Sequence, residues 1–123
     1  QRTEGFSQMV CLTVPAGMTH AAWRDAWQNG HTATGIETQS NFEYLQNLVV
    51  RPLGRDAPPY AAIVEECFPI AARQDEAVFY DAVGDPAKPA ANQDRMMASC
   101  ARFIGADGCD CVPTSQFDLA RPF

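Results

Sequence analysis

Residues 42–53 (FEYLQNLVVRPL) and 60–68 (YAAIVEECF) are two apolar runs rich in strand-forming side chains, with only the six residues from Gly54 to Pro59 between them. So short a link joins antiparallel neighbours, because a parallel crossover needs about a dozen residues or more. Gly54, Pro58 and Pro59 favour a turn there. An antiparallel pair therefore lies at the centre of the chain, and the flanking segments have to be built onto it.

On the N-terminal side, FSQMVCLTV (6–14) reads as a strand that stops at Pro15-Ala16-Gly17. Thr19 offers an N-cap to HAAWRDAWQNG, a short helix ended by Asn29-Gly30, with Trp23 and Trp27 four apart on one face. The polar stretch 32–41 reads as a connection. On the C-terminal side, ARQDEAVFYDAV (72–83) reads as a helix with Phe79, Ala82 and Val83 on one stripe, broken by Gly84-Asp85-Pro86 and Pro89. NQDRMMASCARFI (92–104) places Met97, Cys100, Ala101 and Ile104 at helical spacing, and its methionine pair suits core filling better than a cofactor box. A last strand, CDCVPTSQFDLA, contains Pro113, which suits an edge or a bulge.

The order β-α-β-β-α-(α)-β predicts an α+β, ferredoxin-like domain: a four-stranded antiparallel sheet with helices on one face. The first two strands carry apolar residues at both parities, so both sheet faces need cover. A second subunit is the simplest cover for the face without helices, which predicts a homodimer joined through the sheet face.

The 123 residues suit one domain, 1–123, and the apolar runs fall far short of the ~20 residues of a membrane span. Nine basic residues against fifteen acidic, net −6, without a basic stripe, argue against nucleic-acid and membrane-surface partners. The start, QRTEGFSQ, lacks a secretory signal pattern, and five cysteines without framework spacing suit a reducing cytoplasm. No second CxC, CxxC or histidine cluster completes a metal site with Cys109 and Cys111. The pair reads as two small apolar side chains on one strand face.

Only two histidines are available for chemistry. His20 falls in the first helical turn, where exposure is expected. His31 continues the Trp23, Trp27 face by four more residues and is aimed inward; on spacing alone a hydrogen-bonded core histidine is the commoner outcome. In "IVEECF", Ile63, Glu65 and Cys67 point one way and Val64, Glu66 and Phe68 the other. One carboxylate must face the helices, where burial raises its pKa and suits it to proton transfer. The other faces the subunit partner, where Arg51 or Asn47 can pair with it.

VPAGMTHAAWRDAWQNGH, the tyrosine of FEYLQN, and EECF together resemble the EthD-type branch of the dimeric α+β barrel superfamily, over about Ser7 to Leu119. Within it the chain is similar to the methylmuconolactone methylisomerases, in which a helix-end His, a strand-two Tyr and a strand-three Cys surround the lactone. The resemblance implies catalytic roles for His31, Tyr44 and Cys67. With Cys67 facing the site, Glu65 shares its side and Glu66 turns toward the dimer. Trp27, Glu65, Phe79 and Met97 complete the expected substrate contacts. The implied activity is proton transfer without a cofactor, by an isomerase or a lyase such as a decarboxylase, on a small lactone or an aromatic, polyketide-type compound. The alternative is a non-catalytic binding protein for a hydrophobic aromatic ligand, or for haem with His31 as axial ligand.

Overall fold

The computed structural model describes residues 1–120. The central pair forms as expected: β2 (Glu43–Leu48) runs antiparallel to β3 (Ala62–Phe68), and β3 in turn pairs with β1 (Phe6–Leu12). The last strand, β4 (Asp110–Thr114), adds to β1, giving the order β2-β3-β1-β4. Pro113 thus lies on an edge strand, where its missing N–H leaves no gap in a ladder. The helices are α1 (His20–Asp25), a π-helical turn (Ala26–His31), α2 (Thr32–Thr38), α3 (Glu76–Phe79) and α4 (Lys88–Cys100). This is the expected α+β architecture, a four-stranded antiparallel sheet with helices packed on it.

The covered face is set by the largest apolar side chains. Trp23 and Trp27 are fully buried and stacked, ring centroids 5.3 Å apart, and they pack on Leu12, Ala62, Val64 and Phe103. A second cluster at one end of the sheet joins Phe6, Phe68 and Phe79, with centroids 5.4 and 4.8 Å apart, over Ala72. Strand alternation then puts Met9, Cys11, Leu45, Ile63 and Val112 on the opposite face, where Leu45 and Val112 are exposed.

Several boundaries differ from the expected ones. Asn29-Gly30 does not end the first helix; helical structure runs on through residues 32–38, over the stretch read as a connection. Gly30 is not in the left-handed conformation of a helix cap. A Cβ there would lie 2.3 Å from an Arg102 guanidinium nitrogen, so the arginine tip packs directly over this position. The second strand stops at Leu48, leaving Val50 and Leu53 exposed. The expected helix over 72–83 is reduced to the one turn of α3, because Asp75 caps it by accepting hydrogen bonds from the N–H groups of Ala77 and Val78. Pro89 occupies the first turn of α4, which therefore begins ahead of residue 92.

Gly5 and Gly17 both have positive φ, +101° and +86°. A Cβ at Gly5 would lie 2.1 Å from the Phe68 carbonyl oxygen, whereas one at Gly17 meets open space. Gly17→Ala should therefore cost about 1–2 kcal/mol, the backbone strain alone. Gly5→Ala should cost clearly more, and comparison of the two midpoints in denaturant titrations checks this.

Candidate functional site

Between sheet and helices lies a cavity of about 150 Å³. Its histidine is placed by the π-helical turn. The Thr32 N–H donates to the Trp27 carbonyl five residues back, and the Thr32 hydroxyl donates to the same oxygen at 3.2 Å. A turn this wide takes nearly one residue more to close than an α turn, so its four-residue step falls short of a full turn by about as much as an α step overshoots, and the two offsets cancel along Trp23, Trp27 and His31. Trp27 and His31 consequently share one face, and both line the cavity. Gln46 on β2 donates to the Thr32 hydroxyl at 2.8 Å, tying the turn to the sheet.

His31 Nδ1 shares a 2.9 Å hydrogen bond with Ser99 Oγ on α4, and its ring lies against Phe103 at 4.6 Å. Burial, and next the positive charge of Arg102, hold its pKa down to about 4, so the imidazole is neutral at pH 7. A Cβ built at Gly35 would stand 3.9 Å from both His31 Nε2 and Tyr44 Cε2, so these two rings flank one narrow gap.

The sheet register decides what faces them. Tyr44 on β2 and Gln8 on β1 are both direct cross-strand partners of Glu66. Glu66, not Glu65, therefore enters the cavity. It is buried, accepts a 3.4 Å hydrogen bond from Gln8 Nε2, and has its pKa pushed up to about 7 by burial, against the opposing effect of that bond. Tyr44 is held above the ordinary phenol range, first by burial and then by the charge of Glu66. Side-chain hydrogen bonds with Gln46 and Trp27 work the other way. At neutral pH the cavity thus contains a neutral imidazole, a protonated phenol and a carboxyl group poised between its two forms.

Of the residues expected from sequence, His31, Tyr44 and Trp27 meet here. Cys67 and Glu65 do not. Cys67 is buried on the opposite sheet face, with Ser7 and Glu43 as cross-strand partners. Burial, then the charges of Glu43 and Glu65, push its thiol up to about 11. Such a thiol stays protonated and is a poor nucleophile at neutral pH. Phe79 belongs to the Phe6–Phe68 cluster, and Met97 faces solvent. Met96 takes the place expected of Met97 on the cavity wall, because α4 turns Asn92, Met96 and Ser99 inward. The expected sides of Glu65 and Glu66 are reversed, because parity separates the two faces of a strand without saying which is which. The signal that identifies Glu66 is the pairing with Tyr44.

Cys111 lies on the cavity side of β4 and Cys109 just ahead of the strand, and with Cys100 both line the cavity. Among the described residues no group of three or more His, Cys, Asp or Glu could hold a metal ion. A haem does not fit the cavity either: about 150 Å³ is the scale of a single benzene ring.

The EthD domain family is matched over residues 15–107, which spans α1 through α4 with both central strands. No curated protein matches the chain.

The position of Glu66 has a consequence for stability. An unfolded carboxyl ionises near 4.5 and the folded one at about 7, so between these values the folded state keeps a proton that the unfolded state releases. Its contribution is complete below 4.5 and is lost as pH rises through 7, by about 3 kcal/mol at most. Glu66→Gln cannot ionise. Its stability relative to the parent should therefore improve from pH 4.5 to pH 8, as read from paired denaturant titrations at each pH.

Proposed function

Because the chain belongs to the EthD domain family of the dimeric α+β barrel superfamily, we propose that its cavity is the active site of a proton-transfer enzyme. The enzyme is an isomerase or lyase acting on a small aromatic or lactone-type compound, with Glu66 as the proton-transfer group in place of His31, which burial keeps neutral. The observation that carries this reading is the burial of the Glu66 carboxyl, poised at about pH 7, directly across from the Tyr44 phenol. A general base works best when its pKa lies near the operating pH.

In the forward step Glu66 removes a proton from carbon beside a substrate carbonyl. The C–H electron pair moves into the carbonyl, and the resulting enolate oxygen accepts a hydrogen bond from Tyr44. Returning the proton to a different carbon gives isomerisation. In a decarboxylation the order changes: protonated Glu66 delivers its proton to the ring carbon, and that C–C bond then releases CO₂. His31, neutral and held at Nδ1 by Ser99, supports the site as a hydrogen-bonding wall and not as a cation.

Glu66→Gln should lower kcat by at least about 100-fold with little change in KM. Tyr44→Phe should lose about 100-fold, and Cys67→Ser should stay within a few-fold of the parent. For an isomerisation begun by the carboxylate, kcat/KM should rise with pH through about 7 and then level off. Loss of turnover in Cys67→Ser with retention in Glu66→Gln would sink the assignment.

The family also supports a partner for the bare sheet face. Leu45, Glu65, Met9 and Val112 form one continuous cross-strand row there, apolar except for Glu65. A second copy packed on this row buries the apolar side chains. Light scattering should give a dimer for the parent chain and a monomer for Leu45→Glu; a monomeric parent chain would overturn this.

A further inference from the structure

The charges around the cavity are one-sided. Among the described residues that line it there is no lysine or arginine, and Glu66 is its one carboxylate. Arg102, whose charge acts on His31, is not part of this lining. Its guanidinium is packed over Gly30 and lines a separate surface depression with Arg95, which is itself paired with Glu37 at 2.7 Å. A bound carboxylate would therefore meet a second negative charge in a lining that offers no cation to pair with it. A neutral hydroxyl meets the reverse: Glu66 accepts a 3.4 Å bond from Gln8 Nε2 and keeps further lone pairs for a donor, and Tyr44 beside it can donate to the same ligand oxygen.

We propose that the cavity selects uncharged ligands carrying a phenolic or enolic hydroxyl and rejects carboxylates. This rests on reading the cavity as the substrate site, and it narrows the substrate class of that site. Within the reactions considered, it favours proton shifts in neutral enolisable or hydroxyaromatic compounds over decarboxylation of aromatic acids. The cavity is of single-ring size, so a monocyclic core, or one ring of a larger ligand, is what it holds.

Glu66 is also the group that makes the selection depend on pH. It faces Gln8 on β1, Tyr44 on β2, Cys111 on β4, Cys100 on α4 and, across the cavity, His31. The phenol and both thiols are pushed up by burial, and His31 is held at about 4. Between pH 5.5 and 8, Glu66 is the one of these that changes charge.

Isothermal titration of the full chain with p-cresol, 4-methylanisole and 4-methylbenzoate tests the proposal. The phenol, ionising near ~10, stays neutral from pH 5.5 to 8, and the benzoate, ionising near ~4, stays anionic, so the protein alone titrates. At pH 8 p-cresol should bind at least ten-fold more tightly than 4-methylbenzoate, and more tightly than 4-methylanisole, whose hydroxyl is blocked. At pH 5.5 the benzoate should gain and the gap should narrow several-fold. In Glu66→Gln the gap should be small and independent of pH; should that variant fold poorly, the pH dependence of the parent chain decides by itself. Three results overturn the proposal: benzoate binding as tightly as cresol at pH 8, a gap that does not respond to pH, or no binding of p-cresol at millimolar concentration. Turnover enters none of these readings. Discrimination as expected, together with full activity of Glu66→Gln on a substrate, would remove the proton-transfer role while leaving the ligand class standing.

Discussion

The position of β3 between β1 and β2 governs the rest of the structure. Its covered side must bury Ala62, Val64 and Phe68 against the tryptophans and the phenylalanine cluster. Because side chains alternate, the same register carries Glu66 inward and leaves Glu65 and Cys67 on the other face. A slip of one residue would expose the core set and exchange the two glutamates, so the register is fixed by apolar burial and the carboxylate is carried along with it. Burying Glu66 disfavours its ionised form, and the surrounding apolar packing offsets that cost. The outcome is a group that exchanges a proton near neutral pH, produced by packing and without a charged partner.

The π-helical turn works toward the same end from the helical side. An uninterrupted α-helix drifts in phase every four residues, which would carry His31 away from the stripe of Trp23 and Trp27. The wider turn at residues 26–31 removes that drift at the point where the ring must meet Phe103 and Ser99. The Arg102 guanidinium packs over Gly30, and Gly35 faces both the His31 and the Tyr44 rings. The site thus depends on a local departure from ideal geometry, held by the bonds from Thr32 to the Trp27 carbonyl and from Gln46 to Thr32.

The cavity's electrostatic character follows from where cations are kept. Arg102 is close enough to lower the pKa of His31 yet lies outside the cavity, and three thiols line the wall without a charge. The interior is thus free of cationic side chains and holds one poised carboxyl. The covered and bare sheet faces divide the chain's ionisable groups accordingly: Glu66 inside, and Glu43 and Glu65 on the side that raises the pKa of Cys67.

Much of the fold was legible in the sequence, since it rests on local signals. The short Gly54–Pro59 link dictates an antiparallel pair, Thr19 and Pro15 mark where a helix begins and a strand ends, and Pro113 points to the edge strand. The spacing of Trp23, Trp27 and His31 aimed the histidine inward. Asn29-Gly30 reads as a helix cap in sequence, yet Gly30 lies inside the π-helical turn with the Arg102 guanidinium packed over it. Met97 misled because the stripe of α4 turned out one residue away. The choice between Glu65 and Glu66, and with it the identity of the carboxyl that lines the cavity, belonged to the tertiary structure alone. Parity is a property of one strand, whereas inside and outside are defined only once β2, β1 and the helices have packed around it.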